Sequence, residues 1–219
     1  MRKAALFIIA GIFISPEIAF GQQRVVFELG FRAGVPTTKG LESSFTGMPG
    51  VFTVQPSFER PSFTAGPSFG AILYDRVMVQ LDALYKPVRF ANNQTFQSGT
   101  SSTVTRGGSW EFPLVFDYRF LQGRIRPYAG GGSVVGQTLW GTSDSWTYFD
   151  SGAVEHFRTQ FQNFDNQFPA YVANAGLEWD RSRLAIRPEL RYTRWDSKTF
   201  DDPKRRSDQF EILIGLSVR

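Results

Sequence analysis

The only histidine of the chain, His156, is the first place to look for acid–base chemistry. Asp150, Ser151 and Glu155 lie close to it in sequence. A histidine activates a serine nucleophile when the two are hydrogen-bonded and an acid orients the ring. No further spacing supports such a triad, and a solvated loop histidine explains these residues without one. We therefore expect no catalytic site.

The segment 196–208 combines carboxylates with basic side chains. Its charged residues include Asp196, Asp201, Asp202, Asp208, Lys198, Lys204, Arg205 and Arg206. The carboxylates could supply oxygen ligands to Ca²⁺, but the bases are interleaved with them and the ligand order of a calcium loop is absent. The chain also has no cysteine, so disulfides and thiolate sites are excluded. We predict no metal site and no cofactor, and a solvated charged loop whose cations can bind phosphate groups.

Residues 138–168 are unusually aromatic for a connecting segment. Six side chains in it are candidates for contact with a partner: Trp140, Trp146, Tyr148, Phe157, Phe161 and Phe164. The last three, together with Phe168, recur at helical intervals, which would give a short helix with one apolar stripe. The alternative is that the flanking strands continue through the segment, with their aromatic side chains packed together.

Eight stretches show the alternation of apolar and polar residues that is typical of a strand with two unlike faces. They cover about 24–35, 62–73, 77–89, 110–120, 124–137, 169–179, 184–192 and 210–219. The clearest one places Trp110, Phe112 and Phe116 on one face and Asp117 and Arg119 on the other. The pattern predicts an all-β chain of eight amphipathic strands.

The connections between these stretches alternate in length. Short ones cover 74–76, 121–124 and 180–183, whereas long ones cover 36–61, 90–108, 138–168 and 196–208. Apolar faces stay in phase across each short turn, so hairpin pairing joins them into one continuous surface. Short turns at one end and long loops at the other describe an up-and-down barrel. A further short strand at 51–55 is an alternative to eight.

The polar faces carry charges of both signs, with glycines between them. The charged residues are Glu28, Arg32, Asp82, Lys86, Glu111, Asp117, Arg119, Arg126, Glu178, Arg187, Glu189, Arg191 and Glu211. A soluble lipocalin-like barrel would expose them, whereas a membrane barrel would enclose them. Aromatic residues near the strand ends, among them Trp110, Trp179 and Tyr192, favour the membrane barrel, because such rings lie at membrane interfaces. We therefore expect a charge network inside a narrow barrel.

Residues 1–21 have the pattern of a secretory (Sec-type) signal peptide. Arg2 and Lys3 precede an apolar run at 4–14, and Ala19 and Gly21 occupy the small positions of a cleavage site. The run is too short for a transmembrane helix, which needs about 20 residues. We expect a signal peptide at 1–21 and one barrel domain at 22–219.

Taken together, the signal peptide, the eight amphipathic strands and the alternating connections resemble the small bacterial outer-membrane β-barrels, the OmpA/OmpX-like and opacity-type porin family. The resemblance covers about 22–219. It implies an eight-stranded antiparallel up-and-down transmembrane β-barrel in the outer membrane, delivered by the barrel-assembly machinery. In that location the cations of 196–208 would meet membrane lipid and the phosphates of outer-leaflet glycolipid. The near balance of 24 basic and 20 acidic residues, with no basic run, argues against nucleic-acid binding.

For function, the sequence favours a non-enzymatic structural or surface-interaction role: membrane integrity, adhesion or binding through long extracellular loops to an extracellular partner that the sequence does not identify. A small pore or carrier for solutes is the alternative. A lipid-modifying enzyme and a soluble periplasmic lipocalin-like barrel are less favoured than either of these. Because the interior of an eight-stranded barrel is filled by side chains, little or no conductance is expected.

Overall fold

The computed structural model describes residues 25–38, 52–165, 170–181, 183–195 and 208–219. The predicted signal peptide and most of the charged segment 196–208 lie outside these ranges. Within them, regular structure is entirely β. They contain no helix long and apolar enough to cross a membrane.

Eleven strands form one antiparallel sheet. In chain order they are β1 (Val25–Pro36), β2 (Phe52–Phe58), β3 (Thr64–Leu73), β4 (Val77–Asp82), β5 (Leu84–Phe96), β6 (Gly99–Arg119), β7 (Ile125–Phe149), β8 (Val154–Asp165), β9 (Ala170–Arg181), β10 (Leu184–Trp195) and β11 (Asp208–Val218).

The sheet closes into an eight-stranded barrel. β4 and β5 are one barrel strand interrupted at Ala83, whose backbone N–H donates to the Pro67 carbonyl at 2.9 Å. Going round the barrel, β1 pairs with β3, and β3 pairs with the β4/β5 strand. That strand pairs with β6, β6 with β7, and β7 with β9. β10 and β11 follow, and β11 pairs with β1 to close the ring, with Leu29 opposite Val218. The predicted eight-stranded antiparallel barrel is confirmed.

The short connections lie together at one end of the barrel, which we call the turn end. The turn between β3 and β4 is closed by a hydrogen bond from the Arg76 N–H to the Leu73 carbonyl at 3.1 Å. Its two central residues, Tyr74 and Asp75, have φ of 53° and 55°. Positive φ at both central positions is the mark of a type I′ turn, whose twist matches that of the flanking strands.

Apolar side chains face outward and charged ones face inward. Phe116 and Leu190 are each 53% exposed, whereas Arg119 and Arg191 are each 1% exposed. A soluble barrel would show the reverse, because water-facing surfaces do not favour a continuous apolar band. The barrel therefore has the surface of a transmembrane barrel, and the lipocalin-like alternative is wrong.

Five strands form a sheet that extends beyond the barrel at the end opposite the turns. β2 pairs along the upper part of β5, and β8 pairs along the upper part of β7. The sheet extension therefore has the order β2–β5–β6–β7–β8. The predicted connection 90–108 is the hairpin of β5 and β6, and the short strand anticipated near 51–55 is β2.

The helix hypothesis is wrong for 138–165, since these residues form the upper half of β7 followed by β8, and Phe168 lies outside the described residues. Phe157 and Phe161 are four residues apart, an even spacing that suits one face of a strand as well as one face of a helix. Pairing with β7 decides between the two, because it places Phe157 opposite Ser145 and Phe161 opposite Gly141.

Candidate functional site

The barrel interior holds the charged residues that alternation assigned to the polar faces. Twelve of the thirteen are buried; Arg126, near the turn end, is partly exposed. Charges removed from water are tolerated when they are paired and hydrogen-bonded, and here they form three layers along the barrel axis.

The layer at the turn end is built on Glu178 of β9. Its carboxylate accepts hydrogen bonds from Arg119 at 2.6 Å and from Arg187 at 2.7 Å. Arg219 donates to it at 2.8 Å and also to Glu28. Arg187 in turn donates to Glu28 at 2.5 Å. One carboxylate thus joins arginines from three positions on the barrel wall.

The middle layer is built on Glu189 of β10. Arg32 donates to this carboxylate, as do the Tyr128 hydroxyl at 2.9 Å and Arg191 at 2.9 Å. Asp82 accepts from Arg191 at 2.8 Å and lies 3.4 Å from Arg32. Except for the Arg191–Glu189 bond, which lies within β10, these contacts join strands that are not neighbours and so cross the lumen.

The layer nearest the sheet extension is built on a lysine. Lys86 Nζ lies 2.5 Å from Glu111 and 3.0 Å from Glu211. The Thr64 hydroxyl donates to the same Glu211 at 3.1 Å. Asp117 is also buried, and neither of its carboxylate oxygens has a hydrogen-bond partner among the described residues.

The predicted charge set leaves out neutral members of the interior. Gln80 accepts from Arg32 and donates to Asp82 at 2.7 Å, and Tyr128 donates to Glu189. Alternation already places both on polar faces, so parity along the strand is the signal that finds them. The arrangement joins opposite walls of the barrel through buried hydrogen bonds.

His156 lies on β8 in the sheet extension rather than in a loop. Its ring stacks on Trp146 with centroids 4.8 Å apart, and its Nε2 lies 3.6 Å from Asp144. Ser151 and Asp150 are in the turn between β7 and β8, and the strand alternation turns Glu155 to the opposite face. The residues of the hypothetical triad are therefore not brought together. Among the described residues no cluster of three or more metal-ligating side chains occurs.

The aromatic candidates of 138–168 divide between the two faces of the sheet extension. Trp140, Trp146 and Tyr148 lie on one face of β7, and Phe157 and Phe161 lie on the opposite face of the sheet, on β8. Phe157 is 73% exposed. The backbone of Phe164 pairs with Thr138.

A row of aromatic rings marks the border between the barrel and the sheet extension on the lipid-facing side. The ring of Tyr85 lies 5.5 Å from that of Trp110 and 5.7 Å from that of Trp140, centroid to centroid. Phe63 continues the row at 6.0 Å from Tyr85. At the turn end, Tyr118 and Phe120 contact each other at 5.5 Å. Two aromatic girdles with an apolar band between them are the interface markers of membrane barrels.

A groove of about 660 Å³ opens just past this aromatic row, on the same face. Its floor is the backbone of Gly107, Gly141 and Phe161, and its walls are the side chains of Arg106, Trp140, Thr142, Gln160 and Gln162. The register explains the grouping, because Arg106, Thr142 and Gln160 are opposed across β6, β7 and β8. Sequence reasoning found Trp140 but not the others, since polar residues of these types are unremarkable until pairing aligns them.

Comparison with known proteins gives the following findings. No protein-family model matches the chain, and no curated protein sequence matches it. Among solved structures, Neisserial surface protein A is similar at 11% identity, over 88% of this chain and 95% of that one, with a TM-score of 0.37. The attachment invasion locus protein Ail of Yersinia pestis, in complex with the heparin analogue sucrose octasulfate, is similar at 10% identity over 90% and 96%, also with 0.37. The CymD monoaromatic hydrocarbon channel is similar at 7% identity over 87% of each chain, with 0.21.

Proposed function

We propose that this chain is an integral barrel of the bacterial outer membrane, whose sheet extension stands outside the cell as a surface for interaction with an extracellular partner. The observation that carries the proposal is the pairing of a lipid-type outer surface on the barrel with a long, exposed, aromatic sheet beyond it.

The barrel wall supports the location. Its outward side chains form an apolar band between two aromatic girdles, and the buried charges leave no polar group of the lumen facing lipid. A closed barrel satisfies every backbone hydrogen bond between neighbouring strands, so it can cross lipid where an open sheet cannot.

The sheet extension supports the interaction role. From Val154 to Gln160 every residue of β8 is exposed, and within the described ranges β8 pairs only with β7. Such an edge offers unpaired backbone groups together with exposed rings such as Phe157, and extended partners add to sheets of this kind. Membrane integrity, the other role in this class, would be served by the barrel alone and gives no reason for the extension.

The pore alternative is less well supported. Glu189 and Glu178 each join arginines across the lumen, and side chains fill the interior of eight-stranded barrels generally. The lipid-modifying alternative is weaker again, since none of the described hydrogen bonds joins His156 to a hydroxyl group.

Cell fractionation followed by gel migration with and without boiling tests the location. We expect the protein in the outer-membrane fraction, migrating faster before boiling than after it because the closed barrel resists detergent. Recovery in the soluble periplasmic fraction, with a single migration position, would refute the barrel proposal.

The absence of cysteine allows a direct test of which end is outside. Glu155→Cys places a thiol near the tip of β8, and the matched variant Asp75→Cys places one in a short turn. A membrane-impermeant maleimide should label the first variant on intact cells and the second only after lysis. Labelling of Asp75→Cys on intact cells, with Glu155→Cys protected, would reverse the assignment.

A further inference from the structure

The groove beyond the aromatic row combines three kinds of contact in one place. Trp140 supplies a flat ring, Gln160 and Gln162 supply amides, and Arg106 supplies a guanidinium. A ring with neighbouring amides suits the faces and hydroxyls of a sugar, because the ring is apolar while the amides donate and accept hydrogen bonds. A guanidinium suits a phosphate, which it binds in a bidentate manner.

The glycines of β6 give the groove its depth. A β-carbon at Gly108 would lie 2.9 Å from the Trp140 ring and 2.5 Å from the Tyr85 ring, so Trp140 leans over a bare stretch of backbone. Gly107 and Gly141 are opposed in the register and form part of the floor. Ligand sites are concave and have volumes in this range.

The charges around the groove leave Arg106 available. It is exposed, and no described ion pair includes it. Arg89, opposite it on β5, lies 3.3 Å from Glu59. The nearest acid on this face, Asp144, has Arg158 and His156 each at 3.6 Å. An anion entering the groove would therefore meet one arginine without an acidic partner.

The groove also lies at a defined height. Arg106 is four residues beyond Trp110 along β6, about 13 Å along the strand. Since Trp110 belongs to the aromatic row at the membrane interface, Arg106 stands at the level of the lipid headgroups and on the lipid-facing side. In the outer leaflet of an outer membrane, that level is occupied by phosphorylated sugars.

We propose that this groove binds the phosphorylated sugar headgroup of an outer-leaflet glycolipid, with Arg106 on the phosphate and Trp140, Gln160 and Gln162 on the sugar. The proposal rests on the proposed outer-membrane location. It assigns the glycolipid contact to the outer face of β6, β7 and β8, which differs from the charged segment 196–208 suggested by the sequence.

The test uses the full protein folded in detergent micelles and titrated with lipopolysaccharide, with affinity measured by calorimetry. The variant is Arg106→Gln, and the matched control is Arg60→Gln, which removes the same charge from an exposed position between β2 and β3, outside the groove and outside the described ion pairs. We expect Arg106→Gln to weaken binding by about tenfold, the loss typical of one charge-assisted hydrogen bond, and Arg60→Gln to leave it unchanged. The double variant Gln160→Ala/Gln162→Ala should also weaken it.

Two ligand controls separate the sources of the signal. Dephosphorylated lipopolysaccharide should bind the wild-type protein about as weakly as intact lipopolysaccharide binds Arg106→Gln. Inorganic phosphate at millimolar concentration should not compete; if it abolishes binding, the site is one for free phosphate and the glycolipid proposal fails.

Gel migration with and without boiling is run on every variant. A wild-type protein without heat-modifiable migration refutes the outer-membrane proposal itself. Folded variants that all bind like wild type, or equal losses in Arg106→Gln and Arg60→Gln, overturn the groove proposal without contradicting the barrel proposal.

Discussion

Glu178 shows how one side chain organises an end of the lumen. Its carboxylate accepts from Arg119, Arg187 and Arg219, and all four groups except Arg219 are almost fully buried. Removing one partner from a buried ionic network leaves the remaining charges without compensation, which is more costly than never having built the network.

We therefore predict that Glu178→Gln lowers the free energy of unfolding by about 3 kcal/mol, the cost typical of breaking a buried ion pair. Urea unfolding in lipid vesicles, followed by tryptophan fluorescence, measures this. The matched variant Glu155→Gln makes the same chemical change on exposed β8 and should have no measurable effect. Equal stability of both variants would mean that water enters the turn-end layer.

Gly176 is the residue that makes room for Tyr128. A β-carbon there would lie 2.6 Å from the Tyr128 hydroxyl and 2.5 Å from the Pro188 carbonyl oxygen. We predict that Gly176→Ala destabilises the barrel by about 2 kcal/mol, as overpacking does. Gly70→Ala is the control, because its nearest neighbour is at 3.6 Å, an ordinary contact. Both variants are read out by the same unfolding measurement, and a tolerated Gly176→Ala would show that Tyr128 can move aside.

The sequence revealed which side chains point inward but not which of them meet. Alternation fixes the side of every residue in a strand, so Arg32 and Glu189 are assignable to the lumen from parity alone. Their contact joins residues 157 positions apart and depends on the register of all the strands between them. Register follows from turn geometry and the closure of the ring, and neither is visible in one strand's pattern.

Among the elements, the turn between β3 and β4 stores a small conformational cost. Asp75 has φ of 55°, where an L-residue with a β-carbon is strained by roughly 1 kcal/mol and glycine is not. We predict that Asp75→Gly stabilises the barrel by up to about 1 kcal/mol and that Asp75→Ala does not. The urea concentrations at the unfolding midpoints of the two variants are compared with that of the wild-type protein. A lower midpoint for Asp75→Gly would show that the aspartate side chain contributes more than the strain costs.

The upper parts of β7 and β8 form a hairpin that lies beyond the barrel. Replacing 144–158 by Asn-Gly joins Ser143 to Thr159, which are directly opposed, through the turn type preferred in two-residue hairpins. The barrel pairs of β7, with β6 and with β9, are untouched. We predict unchanged heat-modifiable migration and loss of extracellular partner binding. Loss of the migration shift would instead make the hairpin part of the folding core.

This hairpin was also the hardest element to predict. The spacing of its aromatic residues suits both the period of a helix and the period of a strand. In addition, the sequence of β7 has no turn signal at the point where the strand passes from the barrel into the sheet extension. Only pairing with the neighbouring strand distinguishes the two structures, and that pairing is a tertiary property.

At the scale of the whole molecule, the three charged layers lie one above another inside the barrel. We predict no steady ion conductance in planar bilayers, because Glu189, Tyr128 and the arginines around them span the lumen. The triple variant Arg32→Ala/Tyr128→Ala/Glu189→Ala, checked for heat-modifiable migration, serves as the comparison and should conduct more than wild type. A well-defined channel in the wild-type protein would contradict this prediction and revive the pore alternative.

The contacts of Glu28 with Arg187 and Arg219 join β1 to β10 and to the residue that follows β11. β1 and β11 are the strands that must find each other for the ring to shut. While they are apart, charged side chains of the lumen would be unpaired and would face hydrocarbon, which makes the open barrel unfavourable in the membrane. We therefore expect insertion of the barrel into the membrane to be coupled to the pairing of β1 with β11.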